Sequence, residues 1–446
     1  MKKQKTILVF IIAFALMLVG CKSQQISQVT TSETSAISFT DDEGRIINLN
    51  EPCTRIISLY SAHTENLFSL GAGDSLIGNY KTGIYPASAS KITMYDYNSD
   101  PEKVIAANPD CVIIRPFITN KSPQFVQALE NAGIVVVSLY PESYDDFPEY
   151  ISRLAMLVGK EDEAKEQLAL LDNRIMNIES LTQNIDKKQT VFFESTETNI
   201  RTVTEDSMPG LAIISAGGIN VAAGAKAIEN GSSIATFGEE AIMKHANDID
   251  VYVSQRGAMN SGGSLVGISE RAGYYSIKAI QNNRVFEIDE KIISSPTFRY
   301  YKGVNELARF MYPEEMDNYD AFKNNNIATK QDFAYIIVKI SHTPLYLPSS
   351  SKYYDTEYEG HTYGIFKDVD WQTEEFDFIE TAVNTGAVEE EKSNGEEYFY
   401  PGKTVTREDL AKAAIRLGNY NVQDSHKVIE DLNSCSNSRL VQLAVD

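Results

Sequence analysis

Cysteine, histidine and positive charge are all scarce in this sequence. It holds four cysteines and five histidines in 446 residues. Cys21, Cys53, Cys111 and Cys435 are scattered, and no CxxC or HExxH spacing occurs. His63, His245, His342, His361 and His426 stand far apart. A structural zinc or iron–sulfur site is therefore not expected, because such sites need clustered ligands. Cys111 sits in an apolar run and reads as a small core residue. Lysine and arginine total 40 against 62 acidic residues, a net charge of -22. That balance argues against a nucleic-acid partner, which would require basic patches to neutralise phosphates. No nucleophile–base or acid–base pair stands out, so no catalytic residues and no cofactor are expected. The length fits two or three domains.

What is present begins with the N-terminus. Lys2, Lys3 and Lys5 precede an apolar run from Ile7 to Val19. The run is short for a membrane span and is flanked by charge on one side only, so it reads as a secretion signal. It ends in Leu18-Val19-Gly20-Cys21, which resembles a bacterial lipoprotein signal. The resemblance implies a signal over residues 1–20, lipidation of Cys21 and anchoring to the outer face of the cytoplasmic membrane. Residues 21–38 are rich in Ser, Thr and Gln and read as a flexible tether.

Strands and helices then alternate. Phe39 to Leu49 reads as a hairpin, Arg55 to Tyr60 as a strand, and Leu67 to Leu70 as a helix closed by Gly71. The stretch Asp100 to Ile114, DPEKVIAANPDCVII, predicts a short helix, a turn and a buried strand. Gly238 to Val253, GEEAIMKHANDIDVYV, has the same layout. Glu102 precedes Asp110 by the same interval that separates Glu240 from Asp248. Two copies of one unit predict two similar lobes. Between them, residues 144–187 carry helical apolar spacing interrupted by Gly159, as one long helix or two in sequence. The expected class is α/β: two Rossmann-like lobes, residues 39–143 and 188–316, joined by a long helix, with a small mainly helical domain over residues 317–446.

Five segments in order, "RIISLYSAHTENLFSLGAG", "DPEKVIAANPDCVII", "AGGINVAA", "GEEAIMKHANDIDVYV" and "SSPTFRYYKGVNELARFMYPE", resemble the helix-linked substrate-binding proteins of ABC importers for iron–siderophores, haem and cobalamin. The resemblance covers roughly Ser38 to Glu315. It implies a ligand held between the lobes at the carboxyl ends of the strands. It also implies one glutamate per lobe docking onto arginines of the permease, which by matching are Glu102 and Glu240. Read from the residues alone, each is an ordinary first-turn helix glutamate.

The loops after the strands supply the candidate cleft. The N-terminal lobe offers Tyr60, Ser61, His63, Arg115, Phe117 and Tyr140; the C-terminal lobe offers Arg201, Met208, Arg256, Met259 and Asn260, with Arg299 near the closing helix. Four arginines suggest an anionic ligand, and the aromatics suit a flat one. Pairing of those arginines with Glu194, Glu197 or Asp206 remains the open alternative. His63 reads more simply as a loop histidine than as a metal ligand, although the ligand itself can carry a metal.

The last part resembles S-layer-homology repeats. IATKQDFA, Ile327 to Ala334, recurs as VTREDLA, Val405 to Ala411, around FKDVDWQTEEFDFIETAVNTGAV. Thr406 and Asp409 predict a helix cap. The resemblance implies that Thr406, Arg407 and Glu408 contact cell-wall polysaccharide, but the first copy carries Lys330-Gln331 and the last is truncated. The expected function is an anchored receptor at the bacterial cell surface. It would deliver an iron chelate, haem, corrinoid or related anion to an ABC permease with its ATPase. The rivals are a wall-binding structural protein with degenerate lobes and a two-lobed metal enzyme; bare molybdate or tungstate is the alternative ligand.

Overall fold

The computed structural model describes residues 37–82, 85–229, 232–316, 329–340, 366–371 and 373–417. Residues 1–36, including Cys21, and 418–446, including Cys435, lie outside the described residues. No helix among the described residues is long and apolar enough to cross a membrane.

A hairpin, β1 (Ile37–Thr40) and β2 (Ile46–Leu49), opens the fold. The N-terminal lobe follows as a parallel sheet of β3 (Ile56–Ser58), β4 (Leu76–Tyr80), β5 (Met94–Tyr95), β6 (Cys111–Ile114) and β7 (Val135–Ser138). Its spatial order is β5-β4-β3-β6-β7. The β-branched residues of β6 are buried on both faces, as a sheet covered by helices requires. Two of those helices are α1 (Ser61–Ser69) and α2 (Glu102–Ala106).

The connection between lobes is two helices, α3 (Phe147–Val158) and α4 (Glu161–Thr182). Gly159 divides them with φ 64°, a left-handed conformation that only glycine adopts cheaply. The C-terminal lobe contains β8 (Thr190–Glu194), β9 (Arg201–Val203), β10 (Ile219–Asn220), β11 (Ile234–Thr236), α5 (Glu239–Lys244), β12 (Val251–Arg256), β13 (Val285–Asp289), α6 (Glu290–Ile293) and α7 (Tyr300–Met311). Its main sheet runs β10-β8-β12-β13, all parallel, and β9 and β11 form a separate antiparallel ribbon.

The repeat seen in sequence is real, but its register differs from the matched spacing. Asp110 Oδ2 accepts from the backbone N–H groups of Thr54 and Arg55, both at 2.8 Å. The residue that does this in the second lobe is Asp250, which accepts from Thr190 N at 3.0 Å. Asp248 instead pairs with His245. The turn after α5 is longer, so the equal spacing of glutamate and aspartate was coincidental.

One continuous core runs from the inner face of the first sheet through α3, α4 and α7 to the second sheet. The opposite face of each sheet has its own smaller core. The C-terminal domain, with α8 (Lys330–Ile340), α9 (Glu374–Asn384), the hairpin β14 (Glu391–Ser393) and β15 (Glu396–Tyr398), and α10 (Arg407–Leu417), packs around a separate core. The predicted cap forms: Thr406 Oγ1 accepts from Asp409 N at 3.2 Å and donates to its carboxylate at 2.7 Å. Thr329 and Asp332 repeat it with the same distances.

The stretch from Ser295 to Met311 reads in sequence as one closing helix, and the helix is shorter than that. Residues Ser295 to Arg299 are irregular and α7 starts at Tyr300. Gly303 lies on its inner face, where a Cβ would strike the backbone carbonyl oxygen of Ile292. Gly303→Ala should therefore cost about 1–3 kcal/mol in urea unfolding. Gly402→Ala, which meets open space, should be near neutral. Equal midpoints for the two would contradict this packing.

Candidate functional site

In an open parallel sheet, ligands bind where the strand order reverses, at the carboxyl ends. The order β5-β4-β3-β6-β7 reverses between β3 and β6. The residues that leave those two strands are Tyr60 and Arg115. In the second lobe the reversal lies between β8 and β12, whose ends are Glu194 and Arg256. The topology thus selects one arginine from each lobe for inspection, and the two have opposite fates.

Arg115 is half-buried among aromatic rings. Its guanidinium lies 4.6 Å from the Tyr60 centroid, 4.9 Å from Phe117 and 5.7 Å from Tyr140. Tyr60 and Tyr140 are tilted against each other at 6.1 Å. No carboxylate pairs with Arg115 among the described residues. Burial pushes the Tyr60 and Tyr140 phenols above their ordinary range, so both remain neutral hydrogen-bonding groups. Phe117 is 48% exposed and Met259, on the other lobe, 42%. These two apolar side chains are open to solvent, which suits the body of a ligand.

Arg256 is engaged within its own lobe. Its Nη1 donates to the Ser261 carbonyl at 3.0 Å and its Nε lies 3.4 Å from Glu287. Glu194, at the neighbouring strand end, is fully buried and accepts from Arg271, Tyr252 and Asn260. For Arg271, burial alone would lower the pKa, but the bonds and charge of Glu194 raise it. Among the described residues Glu194 therefore pairs with none of the four candidate arginines but with Arg271, which the sequence reading did not single out.

Several predicted cleft residues belong to the frame instead. His63 is fully buried: its ring bonds to Tyr150 Oη at 2.7 Å and the Ile114 carbonyl at 3.0 Å. Burial lowers its pKa to about 3, so it is neutral. A carbonyl only accepts, so Nε2 carries the proton and Nδ1 accepts from tyrosine. Asn260 bonds to Glu194, Ser254 and the backbone of Glu197. Met208 is a core residue whose carbonyl accepts from Tyr300. Arg201 is half-buried on the side ribbon.

Arg299 ties the lobes together. Its Nε and Nη2 each donate to a Glu65 carboxylate oxygen at 2.7 Å, and both side chains are buried. Asn66 Nδ2 donates to the Pro296 carbonyl at 2.8 Å, and Lys291 Nζ reaches Ser61 Oγ at 3.4 Å. Helix α1 therefore contacts segment 291–299 along its length. Together with the bonds of His63 to Tyr150 and of Thr64 to Ser58 and Asn79, this accounts for the buried polar residues of a helix that begins at Ser61, before the predicted Leu67. The signal available in the sequence was a run of polar residues on every face of one helix, which implies polar partners on every side.

Glu102 and Glu240 are both exposed in the first turns of α2 and α5. Neither forms an ion pair among the described residues.

The comparisons with known proteins bear on the family and the fold. Residues 56–292 match the family described as periplasmic binding protein. An uncharacterised ABC transporter substrate-binding lipoprotein of Bacillus subtilis, YvrC, is 25% identical over 325 residues, covering 70% of this chain and 99% of the relative. The vitamin B12-binding protein of Vibrio parahaemolyticus is 27% identical over 266 residues, covering 58% and 89%. Among solved structures, a possible iron-binding periplasmic protein of Staphylococcus epidermidis aligns with a TM-score of 0.51 at 24% identity, covering 59% of this chain and 100% of that one. The haem-binding protein RhuT of Roseiflexus sp. RS-1 aligns at 0.50 and 22% identity, covering 58% and 98%. These structural likenesses concern the fold.

Asp289 ends β13 beside the lobe junction and is fully buried. Burial raises its pKa to about 7, against the opposing pull of the Lys291 N–H, Arg299 and Lys291, while Glu290 adds to the rise. The folded protein then holds this proton longer than the unfolded chain. The associated stability is fully present below 3.8, the ordinary value, and is lost as the pH rises through about 7. Asp289→Asn removes that loss and keeps the oxygen that caps α6. Its advantage in thermal midpoint over the wild type should grow from about pH 5 to about pH 8; parallel pH profiles would contradict the assignment.

Proposed function

Because the chain belongs to the periplasmic binding protein family, we propose that it is a lipid-anchored receptor delivering an iron chelate, haem, corrinoid or related anionic ligand to an ABC permease. The carrying observation is Arg115, held among Tyr60, Phe117 and Tyr140 with no carboxylate partner among the described residues. A guanidinium in that setting can give charge-assisted bonds to an anionic group while the rings cover a flat ligand body. The names of the relatives support the same range of ligands. The name of the Bacillus subtilis relative, an ABC transporter substrate-binding lipoprotein, supports capture and delivery over catalysis. Cys21 is the proposed point of lipid attachment, in keeping with the lipoprotein of Bacillus subtilis.

Thermal stabilisation of residues 38–446 by cyanocobalamin, haemin, ferric siderophores, molybdate and tungstate tests this reading. A ligand at a hundredfold excess over its Kd should add about 2.7 kcal/mol. Arg115→Ala should weaken that ligand at least about tenfold, the loss of one charge-assisted bond. Stabilisation by none of the panel would favour the wall-binding alternative.

Glu102 and Glu240 are the proposed permease contacts. Two exposed carboxylates on a fixed frame give register to an arginine-bearing partner. Replacing both with alanine should abolish uptake in cells while leaving ligand affinity unchanged; a loss of affinity would place them in the cleft.

A second contact is proposed for the C-terminal domain. A cavity of about 380 Å³ there is bordered by Lys330, Lys403, Thr406, Lys412 and Arg416. Each of those cations pairs with a carboxylate of the same wall, so this reading rests on the likeness of Thr406, Arg407 and Glu408 to the repeat motif.

A further inference from the structure

The C-terminal domain does not hang free of the lobes. Phe376 on α9 is 1% exposed, yet it clusters with Tyr85 of the N-terminal lobe and stands outside its own domain's core. Tyr85 Oη donates to the Trp371 carbonyl at 2.9 Å, and the two rings meet edge to face at 5.1 Å. On the other lobe, Lys302 of α7 pairs with Asp377 of α9 at 2.6 Å, with both side chains 5% exposed. Arg309, also on α7, lies 5.6 Å from the Phe378 ring. The first turns of α9 and the segment just before it thus touch both lobes at once.

The point of contact matters more than its size. Tyr85 follows β4 at the carboxyl edge of the first sheet. Its opposite face receives the Arg299 guanidinium at 3.8 Å, and Arg299 is the residue bonded to Glu65 across the lobe junction. Glu65 lies one turn along α1 from Ser61, at the edge of the cleft. A chain of contacts therefore runs from Trp371 and Phe376 through Tyr85 and Arg299 to Glu65, on the helix that begins at Ser61.

We infer that the C-terminal domain is a positioning element of the ligand cleft, holding the Tyr85 loop and the lobe-bridging Arg299–Glu65 pair in place from outside both lobes. The inference rests on the reading of the cleft as the ligand site, but its test needs no ligand, so the two fail separately. The domain acts through Tyr85 and Arg299 and itself touches no ligand. It follows that whatever engages the C-terminal domain from outside biases the angle between the lobes.

The chain has a single tryptophan, Trp371, so its emission reports this contact alone. Full-length Lys302→Met and Phe376→Ala perturb the contact from opposite sides, and each leaves the other partner's core intact. In both, emission should shift to the red. Amide hydrogen exchange should accelerate about tenfold in residues 59–69, 85–91 and 294–300, with α8 and α10 still protected. Lys302→Arg, which keeps the charge, should restore both readouts. A red shift with wild-type exchange in those segments would overturn the inference, since the contact would have opened without consequence for the cleft. Unmoved emission in both variants would overturn it too, because the contact would then not depend on these residues.

Discussion

The arrangement of the lobes depends on one buried ion pair. Glu65 and Arg299 meet across the junction with two parallel bonds of 2.7 Å. Charges taken out of water are stabilising only when geometry and further bonds compensate for lost hydration. Here the compensation is ample for one side of the guanidinium, which has two carboxylate oxygens and the face of Tyr85. Removing either partner would strand the other in a site without water access. The pair therefore specifies a lobe angle more than it adds net stability, and it explains why α1 carries so many polar residues into a buried position.

The two strand-order reversals are used differently. In the C-terminal lobe the reversal is closed by its own chemistry: Glu194 is neutralised by Arg271, and Arg256 by Glu287 and backbone carbonyls. In the N-terminal lobe the reversal ends in Arg115, which has rings around it and no paired carboxylate among the described residues. A cation held by π faces keeps its N–H edges available for a ligand anion, whereas one held by carboxylates does not. Under the proposed function, this asymmetry favours the first lobe for capture and leaves Met259 and the Lys291 segment of the second lobe to covering and spacing.

Much of this was legible in the sequence. Alternating β-branched runs and helical periodicity announced two parallel sheets; the connection, expected as a long helix with two in sequence left open, is two helices divided at Gly159. The places of Tyr60, Arg115, Phe117 and Tyr140 beyond the strand ends were legible because the alternation fixes them. His63, Asn260, Met208 and Arg299 were misassigned for a common reason. A residue in the connection beyond a strand can face a ligand or a neighbouring element, and only the tertiary arrangement decides which. The partner of Arg299 lies on the other lobe, 234 residues earlier in the chain, and no local pattern links them. The Glu–Asp spacing misled in a similar way: the second turn is longer, and Asp250, not Asp248, fills the place of Asp110. The seating of α9 on both lobes had no sequence signal beyond its unusually polar yet buried face.

A double-mutant cycle on Glu65→Gln and Arg299→Met, followed by chemical unfolding of the full chain, tests the central claim most directly. Each single change should be strongly destabilising, by about 3–5 kcal/mol. The double variant should recover part of that loss, giving a coupling of about 2–3 kcal/mol. Additive single effects, with coupling within about 0.5 kcal/mol of zero, would contradict the account by showing that the lobes are held together without this pair.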